Sequence, residues 1–262
     1  MKDEAQDAKP AQVIFGVRDL HVRYGKFEAV KGVSFTVHRG EIFGIVGESG
    51  SGKSTIAKAL IGLERASGGV IERADDVSVQ MIFQDAVGSL NPRMTVKQTL
   101  DEASKLDEAS KHGRRGQRVS PYGTTEKLLS LVGLSDAVLN QYPREMSGGQ
   151  CQRVSIARAL AAGGDVLLAD EPVSALDVSV QARVLNLLRD LRRDLGLTIV
   201  LIAHDLAVVK NICDRIAVME KGLFVDAGDA GSVMSNPSSD YARRLIAAVP
   251  DVERALAARF AD

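Results

Sequence analysis

Residues 41–55, EIFGIVGESGSGKST, set a run of apolar residues directly before a glycine-rich loop that ends in Lys-Ser-Thr. Gly47-x4-Gly52-Lys53-Ser54 has the form of a Walker A phosphate loop. Its glycines let backbone N–H groups converge on phosphate oxygens, where a Cβ would obstruct. Downstream, Ile56, Leu60 and Leu63 fall at helical spacing, so a helix is predicted whose N-terminus adds partial positive charge. Glu48, Ser49, Gly50, Ser51 and Gly52 complete the cradle. Lys53 is expected at the β- and γ-phosphates, Ser54 at Mg²⁺ and Thr55 at the α-phosphate. Strand, loop and helix in this order bind the chain to a sheet whose strand ends face a ligand crevice.

Two more apolar runs end in residues suited to that crevice. DVLLADE carries Asp170 to a strand end, where it would hold the metal through water, and Glu171 follows as the candidate to polarise an attacking water. Without the phosphate loop, the same pattern would be a strand ending in two solvated acids. LTIVLIAHD ends at His204, expected near the γ-phosphate. MIFQD brings Gln84, which would coordinate either Mg²⁺ or the water. Tyr24, before Gly25, either stacks on adenine or belongs to a turn that needs no ligand.

The remaining segments fit an α/β protein with a largely parallel sheet. QVIFGVRDLHVRY and VSFTVHRG read as β-rich, a turn at Ser67–Gly69 leads to the strand VSVQMIFQD, and RIAVMEKGLFVDAG reads as a hairpin turning near Lys221-Gly222. Val180, Val184, Leu187, Leu188, Leu191 and Leu195 give a helix with one apolar stripe. Residues 240–260 read as helix broken by Pro250. The pentamer DEASK occurs at 101–105 and again at 107–111, a spacing that matches no solenoid and fits a charged helical face.

Composition excludes several classes. Net charge is −1 and the pI is about 6.5, so no global basic field points to nucleic acid. The cluster Arg114, Arg115 and Arg118 reads as a solvated loop or helix end rather than a binding patch. Cys151 and Cys213 stand in no metal-ligand spacing and suit a reducing compartment. The opening residues have no signal-peptide core, and the most apolar stretch is too short to span a membrane and is interrupted by His204 and Asp205.

A second glycine turn, MSGGQ at 146–150, then needs an explanation, since one nucleotide needs one cradle. The series Tyr24, phosphate loop, Gln84, MSGGQ, ADEP, SALD at 174–177 and His204 resembles ABC-type ATPases over nearly the whole chain. The resemblance implies that two subunits pack head to tail, with Ser147, Gly148, Gly149 and Gln150 of one capping the γ-phosphate held by the other, and Asp177 across the same interface. A plain helix start explains neither Ser147 nor Gln150 in this reading. The implied architecture is a P-loop NTPase core of ABC type, residues 13–92 and 154–230, with an N-terminal antiparallel β subdomain. An inserted α-helical subdomain takes 93–153, a C-terminal helical extension takes 231–262, and residues 1–12 form a mobile tail.

Longer phrases, FQDAVGSLNPRMTV, SALDVSVQARVLNLL and HDLAVVKNICDRIAVM, resemble ATPase subunits of bacterial importers for peptides and nickel. So does NPSSDYARRLIAAVP, except that Ser239-Asp240-Tyr241 replaces a usual His-Pro-Tyr. Ala86 stands where proline is common, and the segment from Gly69 to Gln84 is short enough that a peripheral strand is expected to be trimmed. The resemblance implies ATP and Mg²⁺ as cofactors. Its implied partners are a second ATPase subunit, two permease chains and, indirectly, an extracytoplasmic solute-binding protein, with the chain on the cytoplasmic face of the inner membrane. The rival readings are a soluble ABC-type ATPase and an exporter cassette.

Overall fold

Strands β1 (Val13–Tyr24) and β2 (Phe27–His38) pair antiparallel, and the chain then enters the central sheet at β3 (Ile42–Val46). The phosphate loop leads into α1 (Lys53–Leu60), followed by β4 (Gly68–Arg73) and β5 (Val79–Ile82). Four helices come next: α2 (Ala86–Ser89), α3 (Val96–Ser110), α4 (Thr125–Leu131) and α5 (Gly148–Ala161). The sheet resumes with β6 (Val166–Asp170), α6 (Val178–Leu195), β7 (Thr198–Ala203), α7 (Leu206–Lys210), β8 (Arg215–Glu220) and β9 (Leu223–Asp229). Helices α8 (Ala230–Ser235) and α9 (Asp240–Ala247) follow. This computed structural model describes residues 12–110, 120–174 and 176–248. The N-terminal tail up to residue 11, the cluster Arg114, Arg115 and Arg118, Ala175, and the helical extension from residue 249 onward lie outside the described residues.

The central sheet runs β5-β6-β7-β3-β8-β9, parallel except for the β9 edge, while β2-β1-β4 form a separate antiparallel sheet. Strands β3, β6 and β7 are buried at every residue, which is why their sequences are continuous apolar runs rather than alternations. Successive side chains enter two different cores. Ile42, Ile199 and Leu201 meet α5 and α6 residues such as Ile156 and Leu188. Phe43, Ile45, Val200 and Ile202 meet α1 and the antiparallel sheet. Phe35 of β2 stacks on Phe43 of β3, rings 5.5 Å apart and 8° from parallel, which ties the two sheets together. Truncating a fully buried residue such as Ile202 to alanine is expected to cost about 2–5 kcal/mol.

Register decides where the chemistry collects. Val46 pairs with Ala203, and Asp170 pairs with Ile202. The segments leaving β3, β6 and β7 therefore depart from one edge of the sheet, at Gly47, Glu171 and His204.

Two expectations are corrected. The turn at Ser67–Gly69 does not lead straight to the strand before Gln84: β4 takes up Gly68–Arg73 and pairs antiparallel with β1. Leu63 does not extend the α1 stripe, because the helix stops at Leu60, Gly62 turns at φ 78, and Leu63 is 62% exposed. The hairpin at Lys221-Gly222 and the α6 stripe are as expected, with Val184, Leu188 and Leu191 buried.

Candidate functional site

The phosphate loop is held by its own protein scaffold. A Cβ on Gly47 would come within 2.1 Å of the Met219 carbonyl oxygen, and one on Gly52, at φ 110, within 2.4 Å of the Ala29 carbonyl oxygen. These two positions need glycine because the loop lies against the backbones of β8 and β2. The obstruction lies on the protein side of the loop, rather than on the phosphate side expected from the sequence. The Ser51 carbonyl accepts from Gly222 N–H at 2.9 Å, and its buried hydroxyl has no protein partner. An orphaned buried hydroxyl in this loop suits an anionic oxygen.

Lys53, 3% exposed, donates from Nζ to the carbonyl oxygens of Gly47 and Glu48, each at 2.8 Å. Burial pulls its pKa down, while Glu171 and Asp170 nearby pull it back up. The hydroxyl of Ser54 donates to Asp170 Oδ1 at 2.8 Å, joining the start of α1 to the end of β6. Burial pushes the Asp170 carboxyl pKa up, against the Ser54 hydrogen bond that lowers it. Both groups supply hard oxygen donors, the kind Mg²⁺ takes when phosphate and water complete its shell. Among the described residues, no group of three or more His, Cys, Asp or Glu side chains is placed to hold a metal by itself.

Glu171 sits at the meeting point. Its φ is 45°, an uncommon conformation for a non-glycine residue, and its N–H donates to Ile202 O at 3.0 Å. One carboxylate oxygen, Oε1, lies 4.0 Å from Lys53 Nζ. The other, Oε2, accepts from Gln84 Nε2 at 3.1 Å and lies 3.8 Å from His204 Nδ1. Residues spread from position 53 to 204 thus surround a carboxylate whose side chain is 15% exposed. The arrangement can orient a water and receive its proton beside a fixed cation. Gln84 also donates to Ser174 Oγ at 3.4 Å. Ser174, the first residue of SALD, carries no signal of its own in the sequence; the approach of the Gln84 loop marks it. Tyr24 lies half exposed at the end of β1, and partial burial pushes its hydroxyl pKa up, with Thr55 lowering it and Glu64 raising it.

The MSGGQ turn stands apart from this cluster. Ser147 Oγ accepts from Gln150 N–H at 3.3 Å, and Gln150 Oε1 accepts from Ser147 N–H at 2.8 Å. This reciprocal pair is a capping box at the start of α5. A helix start within the chain therefore does account for Ser147 and Gln150, contrary to the sequence argument. Gly148 and Gly149 lie against Leu176 and Val180, where a Cβ on Gly149 would meet Val180 Cγ1 at 2.5 Å. Asp177 is the exposed N-cap of α6 and makes no side-chain capping bond. The hydrogen bonds of Ser147 and Gln150 described here stay within the turn and make no link to the phosphate loop.

Comparison with known proteins points the same way as the geometry. A family profile described as ABC transporter matches residues 30–174. The oligopeptide transport ATP-binding protein OppF of Lactococcus lactis subsp. lactis (strain IL1403) is 43% identical over 265 residues, covering 92% of this chain and 81% of that protein. OppF of Escherichia coli (strain K12) is 44% identical over 237 residues, covering 85% and 70%. Among solved structures, the dimeric cassette MJ0796 in a post-hydrolysis state bound to ADP and Pi aligns with TM-score 0.67 and 26% identity, covering 83% of this chain and 99% of that one. A metal-chelate type ABC transporter in an inward-facing conformation aligns with TM-score 0.71 and 26% identity, covering 85% of each chain.

Proposed function

This chain belongs to the ABC transporter family and is an ATPase, and we propose that it powers a bacterial importer of oligopeptides from the cytoplasmic face of the inner membrane. The observation that carries the proposal is the convergence of Lys53, Gln84 and His204 on the Glu171 carboxylate, beside the Ser54–Asp170 pair. In this reading Glu171 polarises the attacking water and takes its proton, and Lys53 and His204 stabilise charge on the terminal phosphoryl group. Gln84 positions the carboxylate or the water. Ser54 and Asp170, with Gln84, would hold Mg²⁺, which supplies charge neutralisation at the phosphates. Tyr24 would pack on the base.

A second ATPase subunit completes the site. Ser147, Gly148, Gly149 and Gln150 of each subunit would reach the nucleotide of the other, with Asp177 at the same junction. Two capped helix starts, one per subunit, would then face two triphosphates. Closure with ATP and reopening after hydrolysis follow, because hydrolysis removes the phosphoryl group shared between the subunits.

Coupling to permease subunits is supported by a groove of about 850 Å³ beside the Gln84 loop, lined by Met81, Phe83, Thr99, Glu102, Ala103 and Arg158. It lies between β5, α3 and α5, where a permease helix could sense motion of the 93–153 helical subdomain. No helix among the described residues is long and apolar enough to cross a membrane. Separate permease chains would form the pathway, and an extracytoplasmic binding protein would capture the solute. The relatives reported above are named for oligopeptide transport, which favours peptides over the nickel cargo also expected.

The test is ATP turnover of this chain assembled with its permease subunits in vesicles, with and without peptide-loaded binding protein. Stimulation by the peptide-loaded form is expected. Stimulation by nickel alone would redirect the cargo, and failure to assemble with any permease would end the importer reading.

A further inference from the structure

Helix α9 reaches the phosphate loop through one side chain. Tyr241 is 6% exposed, and its hydroxyl accepts a hydrogen bond from Glu48 N–H at 3.0 Å. That N–H belongs to the same peptide unit as the Gly47 carbonyl, which accepts from Lys53 Nζ at 2.8 Å. In a planar trans peptide the N–H and C=O point in opposite directions, so fixing one end aims the other. A donor engaged at one end also strengthens the carbonyl as an acceptor at the other. Glu48 O, the next carbonyl along, takes the second Lys53 bond at 2.8 Å. On the far side of the loop, Ser51 O is held by Gly222 N–H at 2.9 Å. The loop is thus fastened at two places, one of them through α9.

The helix that carries Tyr241 is firmly started. Ser239 Oγ accepts from Ala242 N–H at 3.0 Å, and the Arg244 guanidinium lies 6.0 Å from the Tyr241 ring centroid. Tyr241 and Ala242 are buried in the core cluster that includes Ile42 and Val46 of β3, the strand feeding the loop. In Ser239-Asp240-Tyr241 the serine is the N-cap and the tyrosine faces the loop.

We propose that Tyr241 is a positioning residue for Lys53, acting through the Gly47–Glu48 peptide, so that the C-terminal helix sets the strength of the loop's grip on nucleotide phosphate. The proposal rests on the reading of residues 47–55 as the nucleotide phosphate site. Phenylalanine at this position would keep the packing and remove only the acceptor. One neutral hydrogen bond corresponds to about a two- to tenfold change in an equilibrium.

The test uses the purified full chain with Mg²⁺ and trinitrophenyl-ATP as the fluorescent probe. Tyr241→Phe is expected to raise the probe's Kd about two- to tenfold. In a Lys53→Ala background the same substitution should add nothing, since its route of action has been removed. Ser239→Ala, which loosens the start of α9 without touching the loop, should shift Kd in the same direction by less. Equal Kd values for wild type and Tyr241→Phe would overturn the proposal, as would an equal loss in both backgrounds, which would mark a packing effect. If the wild-type chain binds no probe, the nucleotide reading fails and takes the proposal with it. Binding by the wild type without a Tyr241 effect would leave that reading standing alone.

Discussion

Ser54 Oγ donates to Asp170 Oδ1 at 2.8 Å, across 116 positions of chain. The bond joins the first turn of α1 to the last residue of β6, two segments whose only shared property in the sequence is an apolar run beside polar residues. It sets two oxygen donors side by side at the sheet edge, with Glu171 one residue further on.

Glu171→Gln should keep nucleotide binding and lose turnover by about a hundredfold or more, the contribution usual for a general base. The amide keeps an oxygen to accept from Gln84, and glutamine meets the same backbone demand at φ 45°. Stability should therefore change little. Single-turnover hydrolysis alongside nucleotide affinity is the measurement, and wild-type turnover would remove Glu171 from its role.

Asp170→Asn should stabilise the nucleotide-free chain near neutral pH while abolishing activity. Burial raises the folded pKa of this carboxyl above its unfolded value. A carboxylate shifted that way favours folding only while protonated, so its charge opposes folding above the folded pKa. Asparagine can still accept from Ser54 and carries no charge. A rise of about 2–4 °C in Tm at pH 7, as ~1 kcal/mol produces in a chain of this size, is expected. The gain should shrink as pH falls into the ordinary carboxylate range. A lower Tm than wild type at pH 7 would show that the Asp170 charge is net stabilising.

Ser147→Arg should block hydrolysis at the partner's site while sparing binding at its own phosphate loop. It also removes a helix cap and should cost about 0.5–2 kcal/mol of stability. Ser147→Asn separates the effects, because asparagine caps well but changes the group offered to the partner. Mixed dimers carrying one Arg variant and one Glu171→Gln subunit locate the defect. A loss confined to the subunit that carries the Arg substitution would refute the head-to-tail arrangement.

The antiparallel sheet should contribute a pH-dependent increment through His21. Its Nδ1 lies 2.8 Å from Glu28 Oε1 and its Nε2 lies 3.2 Å from Asp19 Oδ1. The Glu28 hydrogen bond is the main cause that raises the imidazole pKa above its ordinary value. For a base raised on folding, stabilisation is complete below the ordinary pKa, about 6.5, and is lost as pH rises through the folded value. The Tm difference between wild type and His21→Gln should therefore be small, positive, and larger at pH 5.5 than at pH 8.5. A gap that grows with pH would contradict the assignment.

The residue pattern alone determined the phosphate loop, the strand ends that carry Asp170, Glu171 and His204, and the stripe of α6. Each is a local matter of backbone freedom or burial period, and each is written within ten to twenty neighbouring residues. It did not reveal β4, whose side chains are all at least partly exposed and which is held to β1 through backbone pairing. It also left no room for a helix cap at Ser147 and Gln150, because a capping box and a ligand contact call for the same residues.

Only the tertiary structure decided why Gly47 and Gly52 must be glycine, since Met219 and Ala29 arrive from distant strands to crowd them. It alone brought Tyr241 to Glu48, 193 positions away. Contacts of that span leave no period or spacing in the chain. They are fixed when the sheet order and the two cores close together, and at that step one hydroxyl of the C-terminal helix comes to rest against the loop that holds Lys53.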